Sequence, residues 1–206
     1  MGWIEKIRPY LEIIYFLSGI AVPLTIYVGL KDMKSRNKRA AVEKSLDFLI
    51  FFAKEFIPAI REYKEKVKKE LPKETDTSQF FNKDFYFPIE NLDKNLMAEL
   101  IIKARFGLTD LLNQLEFFSA AVLYRALDED IVYTPLSKVF CDFVESEHLL
   151  LSVSRSMGAP FKNLVKLYKK WSDRREVEKY QLQIEEAKHK IKEKGTNYKS
   201  APPIGM

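Results

Sequence analysis

One cysteine, two histidines and seven glycines in 206 residues exclude much chemistry before any motif is sought. The lone thiol, Cys141, rules out an intrachain disulfide framework and suits a reducing compartment. Scarce glycine leaves little room for phosphate-cradling loops. The chain contains no G-x-x-x-x-G-K-[ST] loop, no G-x-G-x-x-G turn and no nucleophile elbow. The histidines, His148 and His189, do not build a metal set. Glu145 and His148 form one E-x-x-H pair on a helix face, but a di-metal bundle needs a second copy and further carboxylates. His148 also lies two helical turns from Cys141, about 10 Å away, too far for direct proton transfer to a thiol. Asp128, Glu129, Asp130 and Asp142 lack the alternating ligand spacing of a calcium loop, and a turn with a helix start accounts for the triplet. No catalytic, cofactor-binding or metal residue is assigned, and a hidden metal or thiol enzyme is the least favoured reading.

One region lacks charge altogether. Ile13 to Leu30 reads IIYFLSGIAVPLTIYVGL. Eighteen helical residues rise roughly 27 Å, close to the hydrocarbon thickness of a bilayer. Ile13, Gly19, Pro23 and Leu30 mark a transmembrane span. Pro23 bends it, and Ser18, Gly19 and Thr25 permit close helix approach. Lys31, Lys34, Arg36, Lys38 and Arg39 follow at once against Asp32 alone, a net +4 at the membrane surface. The first twelve residues balance Lys6 and Arg8 against Glu5 and Glu12. Excess Lys and Arg stays cytoplasmic. The expectation is an uncleaved single-pass anchor in the bacterial inner (plasma) membrane, N-terminus outside and bulk cytoplasmic. Strong charge after the apolar core and a poor cleavage site at Gly29-Leu30-Lys31 argue against a removable signal peptide.

The remaining chain is rich in Leu, Lys, Glu, Phe and Ala, a helix-forming mixture. The reading is all-α: the anchor over residues 1–39, a bundle of about four helices over 40–172, and a charged arm with an unstructured tail over 173–206. Leu46, Leu49, Ala53, Phe56, Ile60, Tyr63 and Val67 give a first stripe, kinked at Pro58 and ended by Pro72. Residues 72–91 read as an irregular aromatic segment packed back on the bundle. A second helix runs from about 91 to 127, capped by Asn91 or Asp93, with Gly107 tolerated inside it. A third spans about Glu129 to Met157, its start placed near Pro135 if Thr134 caps it, and Gly158 stops it. A short fourth turns Phe161, Leu164, Val165, Tyr168 and Trp171 inward. Residues 173–194 lack a full apolar stripe and suit a solvated helix or weak coiled-coil arm.

The charge is uneven. Residues 40–160 hold 15 basic and 20 acidic side chains, whereas 161–206 hold 12 basic and 6 acidic. Lys166, Lys169, Lys170, Arg174 and Arg175 crowd around Trp171. With no nucleic-acid-binding motif around them, a solvated helix face or membrane contact explains them better than nucleic acid.

The stretch DLLNQLEFFSAAVLYRALDEDIVYTPLSKVF, with LVKLYKKWSDRR after it, resembles an uncharacterised family of small bacterial proteins with one N-terminal membrane helix. Leu111, Leu112, Asn113 and Glu116, the acidic turn Asp128 to Asp130 with Val132 and Tyr133, and Trp171 with Arg174 and Arg175 carry the resemblance, over about residues 10–175. It implies a helical cytoplasmic domain and no known catalysis. The function expected is a membrane-anchored, non-enzymatic interaction or scaffold module. Its partners are the lipid bilayer and a protein of unspecified identity, with a homo-oligomer as a further candidate. The alternative is an oligomerising membrane-perturbing effector of a bacterial defence or stress system.

Overall fold

Helix begins at the first described residue and dominates the chain thereafter. The structure, a computed structural model, describes residues 30–71, 73 and 75–195, and among these there is no strand. Apart from Leu30 the expected span lies outside the described residues, as does the tail after Gly195. Among the described residues, no helix is long and apolar enough to cross a membrane.

Residues 30–51 form α1, which passes through a π turn at Phe52–Phe56 into α2, Ile57–Glu70. Proline explains the turn. Pro58 lacks the N–H that would bond the carbonyl four residues back, and the ladder widens just before it, with Ile57 N–H bonded to Phe52 O. The core-facing set on this long element is Phe52, Phe56, Tyr63 and Val67, with Ser45 also buried. Leu46, expected inside, is exposed.

Two 3₁₀ turns, Ser78–Phe80 and Ile89–Asn91, interrupt the segment after α2. Its aromatics do pack back: Phe85 and Phe87 are fully buried, and Phe80 and Phe81 lie against the core.

The expected helix over 91–127 is two helices, α3 (Lys94–Arg105) and α4 (Leu108–Leu123). Asp93 caps α3 by accepting from Asn95 and Leu96 N–H. Gly107 stands between them at φ +92°, a left-handed conformation that glycine adopts at little cost. The residue read as a tolerated weakness is therefore the break.

The expected helix over 129–157 also divides, into α5 (Glu129–Ser146) and α6 (His148–Ser156). Asp128, not Thr134, caps α5, and Pro135 sits inside the helix. Gly158 ends this region in the left-handed conformation, as expected of a stop. The short fourth helix and the arm are one element, α7, Lys162–Gly195. The expected count of about four helices falls short because Gly107 and Glu147 each cut a helix in two.

One apolar core joins these elements, with α7 laid along α4 and α5. Phe118 is its hub, with ring centroids 5.1 Å from Phe48 and Phe52, 6.0 Å from Phe140 and 5.8 Å from Trp171. Such offset and edge-on pairs add to the burial of their large surfaces.

Candidate functional site

The residues expected at the membrane surface sit on the first turns of α1. Lys31, Lys34, Arg36, Lys38 and Arg39 are all exposed, as is Leu30. Ile13, Gly19 and Pro23 lie outside the described residues. Arg36 pairs with Asp32 on its own helix.

Lys34, Asn37, Lys38 and Ala41 share one face of α1, at spacings of three and four. That face meets the turn between α4 and α5 and borders a half-open cavity of about 450 Å³, completed by Val122, Arg125, Leu127, Asp128 and Glu129. Ser45, one turn further on, fixes the two walls. Its hydroxyl donates to Ala41 O at 2.7 Å and accepts from Asp128 N–H at 2.8 Å. Arg125 carries a left-handed φ of +61°. The sequence gives no warning that Arg125 joins the basic flank, because some ninety residues separate them.

The two acids of the cavity are otherwise engaged. Asp128 Oδ1 accepts from Asp130 N–H. Glu129 Oε1 accepts from the Trp171 indole at 3.0 Å, while its Oε2 pairs with Lys170. The basic cluster around Trp171 is largely neutralised within the fold. Lys169 pairs with Asp84 at 2.6 Å, Arg174 with Glu178 at 3.1 Å, and Arg175 with Asp142 at 3.3 Å. Among the described residues Lys34, Lys38 and Arg125 have no carboxylate within ion-pair distance.

A second polar group lies deep in the fold. Glu147, at the α5–α6 break, accepts from the Tyr63 hydroxyl at 3.0 Å and from Lys103 at 3.2 Å, and all three are largely buried. These contacts fasten α2 and α3 to the junction. Next to it, His148 places Nδ1 2.9 Å from Glu145 O and Nε2 3.1 Å from Thr77 O, with its ring edge-on to Phe81. This is a strap on the 71–93 segment. Glu145 does not share a ligand position with His148; its carboxylate accepts from Tyr168. Among the described residues no group of three or more His, Cys, Asp or Glu is placed to hold a metal. Cys141 is fully buried, and burial pushes its thiol up to about 11 against the opposing pull of Arg175. A thiol so protonated is a poor nucleophile.

The residues that carried the resemblance meet around the start of α7 and its packing against α5. Glu116 Oε1 accepts from Asn163 N–H and its side-chain amide, and Oε2 accepts from Leu164 N–H at 2.7 Å, which caps α7. Arg105, at the end of α3, pairs with Glu70. Trp171 bonds Glu129, and Arg174 lies over the Tyr133 ring at 3.8 Å from its centroid. Burial, with Glu178 accepting from its hydroxyl, pushes Tyr133 up to about 12. The pattern fastens a fold. A family model described as a domain of unknown function, DUF4760, matches residues 13–171. The chain belongs to the DUF4760 family. No curated protein and no solved structure matches it. In this DUF4760 chain the matched stretch takes in the α4–α5 turn, the α7 cap and Trp171.

Proposed function

We propose that this chain is a membrane-tethered, non-enzymatic interaction module that holds a protein partner at the cytoplasmic face of a bacterial inner membrane. The observation that carries the reading is the exposed basic start of α1, which directly follows the uncharged run in sequence. In sequence the uncharged run precedes α1, which is helical from the first described residue, Leu30; its first ten residues are all exposed and mostly basic or polar. A polybasic helix face so close to a membrane segment gains roughly 1 kcal/mol per Lys or Arg from an anionic leaflet. The partner-facing surface is on α4 and its C-terminal cap, where Phe117 and Tyr124 are 75% and 78% exposed. Paired large aromatics left in water fit the anchors of a protein interface.

Fractionation tests the tether. The full chain resists carbonate extraction and leaves the membrane with detergent, whereas a chain beginning at Leu30 is released in buffer. A pull-down from detergent extracts returns a reproducible partner that Phe117→Ser with Tyr124→Ser loses. A full-length product free in buffer without detergent overturns the tether, and wild-type recovery of no partner overturns the interaction.

A second reading is an oligomerising membrane-perturbing effector. It is favoured by α7, where Val177, Ile184 and Ile191 recur every seven residues and Tyr180 lies beside them, all exposed by half or more. β-Branched residues at one heptad position suit a two-stranded coil with a second copy.

A further inference from the structure

We infer that the cavity between α1 and the α4–α5 turn binds an anionic phosphate group, with Lys34, Lys38 and Arg125 as its cationic ligands and Asn37 as a neutral donor. Three features of the site carry this. First, the cations converge from two elements far apart in sequence onto a space of about 450 Å³, within the range of small-molecule sites. Second, both acids on its wall are bound to other groups, Asp128 to the first turn of α5 and Glu129 to Trp171 and Lys170. The lining carries three cations against two carboxylates, of which Lys170 neutralises Glu129, so positive charge is in excess. Third, Arg125 is held in a left-handed backbone conformation that glycine would take without strain. The fold therefore carries a long cationic side chain at a place where the backbone alone favours its absence.

Position suggests the source. Lys34 lies one turn past the expected membrane span, at the depth of lipid phosphates. The lipid source rests on the tethering reading; the chemistry of the cavity does not. A free phosphate compound would satisfy the same ligands. Apolar Ala41, Val122 and Leu127 on the wall provide a surface for the carbon part of a glycerophosphate headgroup.

The test is calorimetric titration of the full chain in non-ionic detergent with three probes: short-chain phosphatidylglycerol, glycerol phosphate and inorganic phosphate. One saturable site per chain is expected. Arg125→Gly and the pair Lys34→Gln with Lys38→Gln each weaken it at least about tenfold, the effect of losing charge-assisted hydrogen bonds. Lys31→Gln, on the flank but outside the cavity, binds as the wild type does. Thermal unfolding separates site from fold, because Arg125→Gly relieves backbone strain and melts no lower than the wild type. Saturation by the lipid alone assigns a headgroup. Equal binding of the water-soluble phosphates assigns a free ligand and supports the cavity's chemistry without the membrane. No saturable binding of any probe, or undiminished binding by Arg125→Gly, overturns the site. Solubility of the full chain without detergent overturns the tether alone and leaves the phosphate result readable.

Discussion

Glu116 is a residue of α4 whose carboxylate closes the first turn of α7. Its two oxygens accept two backbone N–H groups and one side-chain amide there. Helix starts leave four such donors unpaired, and an acidic acceptor also meets the positive end of the dipole. Glu116→Ala is expected to cost about 1–3 kcal/mol. At roughly 2–4 °C per kcal/mol for a chain of this size, the loss shows as a lowered melting temperature by circular dichroism. Glu116→Gln, which keeps an acceptor without the charge, lies between. The sequence marked Glu116 as a feature of the resemblance, but its partner was illegible, because capping from a neighbouring helix depends on packing across 47 residues. Cys141 shows the opposite case. A lone cysteine on an apolar helix face reads as structural, and it is found fully buried.

At the scale of elements, α7 divides by environment. Its first half buries Leu164, Leu167, Tyr168 and Trp171, whereas residues 179–194 are exposed throughout. Glu178, just before the exposed stretch, still ties α7 to α5 by accepting from the Tyr133 hydroxyl. Truncation after Tyr180 is expected to change the stability of the monomeric fold by no more than about 0.5 kcal/mol, as for surface changes remote from packing. Crosslinking in membranes then distinguishes the readings. If the heptad stripe joins copies, truncation and Ile184→Asp both abolish a crosslinked dimer; equal yield from all three chains removes the coil. The helix boundaries show where local signals suffice. Asp93, Asp128 and Gly158 punctuate as their chemistry dictates, and Gly107 breaks its helix through the left-handed conformation open to glycine. The break at Glu147 was not visible, since residues 136–157 contain neither Gly nor Pro. It coincides with a carboxylate turned inward to Lys103 and Tyr63, contacts made by other helices.

Charged straps hold the assembled molecule at its periphery and set its response to acid. Lys169 joins the 71–93 segment to α7 through Asp84, and its hydrogen bond holds that carboxyl below the usual range. Asp142 is lowered as well: partial burial opposes the shift, but Lys138 on its own helix and Arg175 on α7 outweigh it. Carboxyls lowered in the folded state stabilise it above their unfolded value of about 3.9, and that contribution is lost as pH falls through the folded value. The urea midpoint is therefore expected to be nearly level from about pH 7 to pH 5 and to fall below about pH 4. Asp142→Asn flattens the fall. An unchanged slope in that variant would assign acid lability to other carboxylates.

Taken alone, the sequence determined the helical class, the inward face at the start of α7, the aromatic segment packed on the bundle, and the basic flank after an uncharged run. All of these follow from spacing along one helix or from the solvation of a single side chain. Only tertiary structure decided that a helix is cut at Glu147, that Glu116 caps α7, and that Arg125, Lys34 and Lys38 line one cavity. Those outcomes depend on groups distant in the chain being brought together by packing, which outweighs local preference.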